Sequence, residues 1–119
     1  MASLTVPDDE LSPVGDIRTV LHALADPIRL EMVRRLAASP DGTSMCGQLY
    51  DTISKSTASH HFSILVNAGI TRRILIDGAR GHRLRREDLD AALPGVLDSI
   101  INAASPLSRG GERSRLQYN

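Results

Sequence analysis

Cysteine, aromatic residues and long apolar runs are scarce in this chain, and each scarcity removes a class of protein. Cys46 is the only cysteine among 119 residues, so no intrachain disulfide and no multi-thiolate metal site can form within one chain. A lone cysteine of this kind is ordinarily inert packing, with a redox role as its rival reading. Phe62, Tyr50 and Tyr118 are the only aromatics, so the core must be aliphatic. No apolar stretch approaches the roughly 20 residues needed to span a bilayer. The start of the chain carries Asp8, Asp9 and Glu10 and lacks the basic, apolar opening of a signal peptide. A cytoplasmic protein with no membrane partner is the resulting expectation.

Net charge is missing too, but only in the sum. Lys and Arg number 14, as do Asp and Glu. Between Ser54 and Arg86, however, seven basic residues face a single acid, Asp77. That window carries +6, and the rest of the chain therefore carries −6. Such a split argues for one surface that meets a polyanion. The length, with 41% hydrophobic and 24% charged residues, suits one domain with one modest core.

The most informative stretch runs from Ser54 to Gly69. Ser54 is placed to cap a helix and Gly69 to end it in a left-handed turn. Winding the segment at about 100° per residue lines up Ala58, Phe62 and Leu65 as a core stripe, flanked by His61 and Ala68. The opposite face bears Ser56, Ser59, His60, Ser63 and Asn67, with Lys55 and Thr57 in the first turn. It holds no acid, and small hydroxyl residues are poor interior helix formers. The bland reading is a tolerated polar face. Short donors, one Lys and one His also suit a helix that approaches phosphates and base edges.

The remaining elements frame that helix. Residues up to 12 read as a flexible arm. Ser12-Pro13 signals a first helix, with Ile17, Val20, Leu21 and Leu24 at helical spacing. Asp26-Pro27 signals a second, apolar on several sides from Ile28 to Ala38. After the turn formers Ser39 to Thr43, Ser44 is placed to cap a short third helix with Met45, Leu49 and Ile53 on one face. Its close junction with the Ser54 helix reads as a helix-turn-helix. From Ile70 to Ile76 the period becomes 2, Asp77-Gly78 signals a tight turn, and His82 to Arg85 returns as the partner strand. Arg80 sits at the tip of this basic wing. Arg86-Glu87-Asp88 opens a last helical region that Pro94 breaks in two, and residues 104–119 read as a disordered tail. The expected fold is therefore mainly α with a small β-hairpin: a winged helix-turn-helix of about five helices over residues 13–103, plus a two-stranded wing.

The segments Leu24-Ala25-Asp26-Pro27-Ile28-Arg29-Leu30, Ser56-Thr57-Ala58-Ser59-His60-His61-Phe62 with Leu65, and Ala68-Gly69-Ile70 resemble the arsenic-repressor (ArsR/SmtB) family of bacterial regulators. The resemblance covers roughly residues 16–103. It implies a homodimer joined through the first and last helices, here Ile17, Val20, Leu21 and Leu24 with Val96, Leu97, Ile100 and Ile101. It also implies a transcriptional regulator, most simply a repressor, that binds an inverted repeat in double-stranded DNA. The sensing chemistry departs from the family. Ser44-Met45-Cys46-Gly47-Gln48-Leu49 lacks the second thiol of the soft-metal sensors, and Glu87 to Ala103 lacks the histidine of the zinc sensors. No metal and no cofactor are therefore expected, and a small-molecule or redox effector is left open.

Roles follow from position. Lys55, Arg72, Arg73, Arg83 and Arg85 are expected on phosphates, and Ser56, Thr57, Ser59 and His60, with Ser63 beside them, on base edges or near phosphates. Arg80 is expected in an adjacent minor groove. His61 belongs at the core boundary, His82 on the wing and His22 on the first helix. Three rival readings stand beside this one. A winged-helix module for protein partners predicts apolar residues on the exposed helix face. An enzyme using Ser59 and His60 has the two side chains about 100° apart on the helix, poor geometry for a nucleophile and its base. A redox-responsive repressor using Cys46 differs only in its effector.

Overall fold

The computed structural model describes residues 4–5 and 11–104. Most of the expected N-terminal arm, and the expected tail beyond residue 104, lie outside the described residues. The elements in order are β1 (Leu4–Thr5), α1 (Ile17–Ala25), α2 (Pro27–Ala38), β2 (Thr43–Met45), α3 (Lys55–Asn67), β3 (Thr71–Ile76), β4 (Ala79–Leu84), α4 (Arg86–Ala92) and α5 (Val96–Ala103). Single 3₁₀ turns lie at Pro40–Gly42 and Cys46–Gln48. This is a winged helix-turn-helix. Among the described residues no helix is long and apolar enough to cross a membrane.

The local signals set most helix ends. The Asp26 carboxylate accepts hydrogen bonds from the Ile28 and Arg29 amides at 2.9 and 3.0 Å, with Pro27 in the first helical turn. One residue thus closes α1 and opens α2, which fixes a sharp corner between them. α1 itself begins later than the Ser12-Pro13 signal implied. Asp16 caps it by accepting from the Thr19 amide at 2.9 Å. The preceding residues are drawn into tertiary bonds instead: the Gly15 amide donates to the Ala68 carbonyl at 2.9 Å, and the Ser12 carbonyl accepts from Arg85.

The expected short third helix is not formed, and this corrects the sequence reading. Thr43, Ser44 and Met45 pair antiparallel with Arg83, His82 and Gly81, and only one 3₁₀ turn follows. A β-branched and a hydroxyl residue gain little from helix, and Gly81 lets β2 approach. A Cβ at Gly81 would lie 2.7 Å from the Ser44 carbonyl oxygen. Leu49 is still buried and Ile53 half-buried, whereas Met45 is exposed. The wing is accordingly wider than a hairpin, with strand order β1-β3-β4-β2. β3 and β4 are joined at Asp77-Gly78, where both residues have positive φ, 50° and 84°. That is the geometry of a type I′ turn, whose twist suits a two-residue hairpin.

α3 ends as its sequence signalled. Gly69 has φ +80°, its amide donates to the Val66 carbonyl, and the Ile70 amide donates to the Leu65 carbonyl. These two bonds make a Schellman motif, and Leu65 and Ile70 are both fully buried behind it. The motif turns the chain directly from α3 into β3. At the far end, Pro94-Gly95 separates α4 from α5, and Arg86 hydrogen-bonds Asp98 across the break.

The core is aliphatic around one ring system. Val20, Met32, Val33, Leu36 and Leu65 are at most 2% exposed. His82 is buried as well, at 3% exposure, although it lies on the wing. Its ring stacks on Phe62 with centroids 4.3 Å apart and planes 18° from parallel. Tyr50 meets Phe62 edge-on at 6.2 Å. Burial, and then the positive charge of Arg73, push the His82 pKa down from its ordinary 6.5 to about 4, so the ring is neutral at neutral pH.

Two predictions follow from this packing. A Cβ at Gly69 would lie 2.4 Å from the Pro13 carbonyl oxygen and 2.5 Å from the Val14 Cα. Gly69→Ala should therefore cost about 3 kcal/mol or more, read from urea unfolding, because backbone clash adds to left-handed strain. Gly78→Ala has positive φ but open space around it, and should cost only about 1 kcal/mol; equal losses would show that strain alone governs both sites. The second concerns acid. The unfolded chain protonates His82 below pH 6.5 while the folded chain resists down to about 4, so this contribution is complete above pH 6.5 and is lost as pH falls towards 4. Its size is about 3 kcal/mol. Between pH 7 and 4.5, the urea midpoint of wild type should fall further than that of His82→Phe, and parallel curves would refute the assignment.

Candidate nucleic-acid interface

The exposed face of α3 begins with a hydroxyl cluster. Ser54 accepts from the Thr57 amide at 3.1 Å and donates to the Thr57 hydroxyl at 3.0 Å, with the Ser56 hydroxyl 3.3 Å away. Lys55, Ser56, Thr57, Ser59 and His60 are all exposed, and Ser63 is half-buried. The positive end of the helix dipole therefore lies among small donors and one Lys, with nothing bulky to keep a phosphate away. His61, next along, is turned inward. Arg29 donates to the Ala23 carbonyl at 2.7 Å and to His61 Nδ1 at 3.1 Å. A guanidinium can only donate, so His61 Nδ1 accepts and its ring proton sits on Nε2. Asp26 lies 3.9 Å from the same nitrogen. This cluster pins α3 to the α1–α2 corner, as the core-boundary reading of His61 required.

The wing adds arginine to that face. Arg73 lies opposite His82 and Leu75 opposite Arg80, so side-chain alternation puts all four on the sheet face that packs towards α3. Arg73 is exposed and reaches α3, donating to the Ser63 hydroxyl at 3.3 Å. Arg80 is exposed one residue beyond the Ala79 end of the turn. Arg72 and Arg83, expected on the same surface, sit opposite each other on the other face of the sheet. Arg85 stands apart. It is 8% exposed, donating to the Ser12 carbonyl at 2.5 Å and to Asp88 at 3.1 Å, so its guanidinium is committed to holding β4 and α4 against the start of the domain.

Charge pairing divides the arginines into two sets. Arg34 and Arg35 both bond Glu31, Arg35 also bonds Asp51, Arg85 bonds Asp88 and Arg86 bonds Asp98. Among the described residues, no carboxylate lies within ion-pair distance of Lys55, Arg72, Arg73, Arg80 or Arg83. Among the described residues, the cations on α3 and the wing strands are thus left without a neutralising carboxylate. Their field can meet a polyanion without first breaking an internal ion pair.

The other expected site residues are placed as follows. Cys46 is half-buried at the 3₁₀ turn. Burial pushes its thiol above the ordinary value, against the pull of Arg80 and Arg73, a direction that disfavours the reactive thiolate. His22 is exposed on α1. Of the residues expected at a subunit interface, Val20, Leu24 and Leu97 are buried in the chain's own core, Val96, Ile100 and Ile101 are half-buried, and Ile17 and Leu21 are 39% and 45% exposed. Alternation from the buried Leu84 could have placed His82 inward from sequence. Nothing in the sequence marked the bond from Arg29 to His61.

Two comparisons bear on this arrangement. Residues 24–74, from the end of α1 through α3 and into β3, match the model of a helix-turn-helix domain family. Over 83 residues the chain is 34% identical to YceK of Bacillus subtilis (strain 168), an uncharacterized HTH-type transcriptional regulator, spanning 68% of this chain and 82% of the relative. The chain belongs to the family of HTH-type transcriptional regulators.

Proposed function

We propose that the protein is a sequence-specific, double-stranded DNA-binding repressor of the ArsR/SmtB type, acting as a homodimer on an inverted-repeat operator. In this reading α3 enters the major groove, where Ser56, Thr57, Ser59, His60 and Ser63 meet base edges and the nearest phosphates, while Lys55 and Arg73 hold the backbone and Arg80 reaches the flanking minor groove. The observation that carries it is the set of cations on α3 and the wing, Lys55, Arg73 and Arg80 around the exposed face of α3, that lack carboxylate partners among the described residues, while Arg34, Arg35, Arg85 and Arg86 are paired. A homodimer would set two α3 helices in successive major grooves, about 10 base pairs apart. The exposed Ile17 and Leu21 on α1 supply an apolar face for that contact. Repression follows from occupying a promoter. The effector is not a metal in this reading, since Cys46 has no companion thiol in the chain.

Fluorescence anisotropy on promoter-derived and random duplexes, from about 50 to 200 mM salt, tests the reading. Affinity should fall steeply with salt and be tighter for one inverted repeat; no binding at the lowest salt would sink it. Arg80→Ala should weaken all duplexes alike and reduce the salt slope by about 1, whereas His60→Ala should narrow the preference for the inverted repeat about tenfold with the slope retained. Equal losses on both duplexes for His60→Ala would remove it from base readout. In sedimentation, wild type should run as a dimer and Leu21→Glu as a monomer. A wild-type monomer at concentrations that saturate the operator would refute the dimer.

A further inference from the structure

We infer that the wing grips DNA with both faces of its sheet, Arg72 and Arg83 holding a second row of backbone phosphates distinct from the row that Arg73 holds and beside which Arg80 reaches the minor groove. The inference rests on the DNA-binding reading above and deepens it. Its first support is register. Arg72 pairs directly with Arg83, and Arg73 with His82, so a period of two sends the two arginine pairs to opposite faces. The α3 side is fixed independently by the stack of His82 on Phe62 and by the bond from Arg73 to Ser63. Arg72 and Arg83 therefore face away from the recognition helix.

The second support is the cost of this pair as it stands. Like charges directly opposite each other across strands are destabilising. No carboxylate among the described residues relieves them. The Arg72 Nε is buried with no hydrogen-bond partner, the one buried guanidinium nitrogen so left among the described residues, which makes it an unmet donor. Arg83 is exposed. An anion bridging the two would relieve the repulsion and is reachable through Arg83. A nucleic-acid backbone supplies such anions at regular spacing, and a hairpin standing beside a groove has one phosphate row on each side.

The salt slope of binding reads the number of phosphates engaged, at about 0.9 for each. On one promoter-derived and one random duplex, Arg72→Gln/Arg83→Gln should lower the slope by about 2 per protomer on both, leaving the ratio of affinities unchanged. Arg73→Gln/Arg80→Gln should do the same, and the four substitutions together should add, because the two rows share no phosphate. Arg72→Lys/Arg83→Lys, which keeps both charges, should restore the slope. If Arg72→Gln loosens the fold, visible in the thermal midpoint, Arg83→Gln alone should still lower the slope by about 1. A wild-type slope in Arg83→Gln and Arg72→Gln/Arg83→Gln, with the Arg73/Arg80 pair behaving as expected, overturns the inference and leaves the pair for an acidic protein surface. A fourfold variant no weaker than either pair also overturns it, by showing one shared row. Failure of wild type to bind any duplex is a different result, and it refutes the DNA-binding reading itself.

Discussion

Phe62 is the contact on which the placement of the wing against α3 depends. It belongs to the core stripe of α3, yet its ring is covered by His82, a residue of the wing. A helix and a sheet that meet only through aliphatic side chains can slide, because dispersion has little directional preference. A parallel ring stack 4.3 Å between centroids has one favourable offset and one favourable tilt. It sets how far the wing stands from α3. His82 is neutral in this stack at neutral pH, because burial and the neighbouring Arg73 hold its pKa down. The same arginine then bonds Ser63 on the exposed side. Around this junction the inside and outside of the site are therefore built from adjacent residues on the same sheet face.

What could be read from the sequence was local. Asp26-Pro27, Ser54, Gly69 and Asp77-Gly78 each specify backbone geometry within four or five residues, and each sits where its chemistry requires. The failures share one cause. Ser12-Pro13 is a sound helix start, but the Ser12 carbonyl is taken by Arg85, 73 residues away. Ser44 is a sound cap, but its strand is taken by β4, across Gly81. Arg85 looks like its neighbours in an arginine-rich strand, and only the carbonyl and carboxylate folded against it distinguish it. Long-range partners overrode sound local signals, and a single sequence does not reveal them. His82 is the intermediate case, since alternation points it inward but histidine on a basic wing reads as a surface residue.

The charge pattern was legible as a window and became informative only when the pairs were known. A run of seven cations and one acid is compatible with a solvated face. The structure separates the cations that hold the fold together from those that do not. Arg35, steadied by Glu31 on its own helix, joins α2 to the approach of α3 through the Gln48 carbonyl and Asp51. Arg85 and Arg86 clamp the last helices. Their charges are spent internally. Those of Lys55, Arg73 and Arg80 are not, and they lie around the exposed face of α3.

The two clusters that hold α3 also constrain how an effector could act on it. One end is fixed to the α1–α2 corner through Arg29, His61 and Asp26, and the other to the wing through Gly69 and Phe62. A ligand cannot tilt α3 alone without breaking the partly buried bond from Arg29 to His61 or unstacking the rings, each a costly step. The less costly motion moves α3, the corner and the wing together as one body. In a dimer, that motion changes the spacing of two recognition helices while each keeps its own shape. In the proposed dimer, control would therefore act through the α1 face, where Ile17 and Leu21 lie exposed, and leave the exposed face of α3 unaltered.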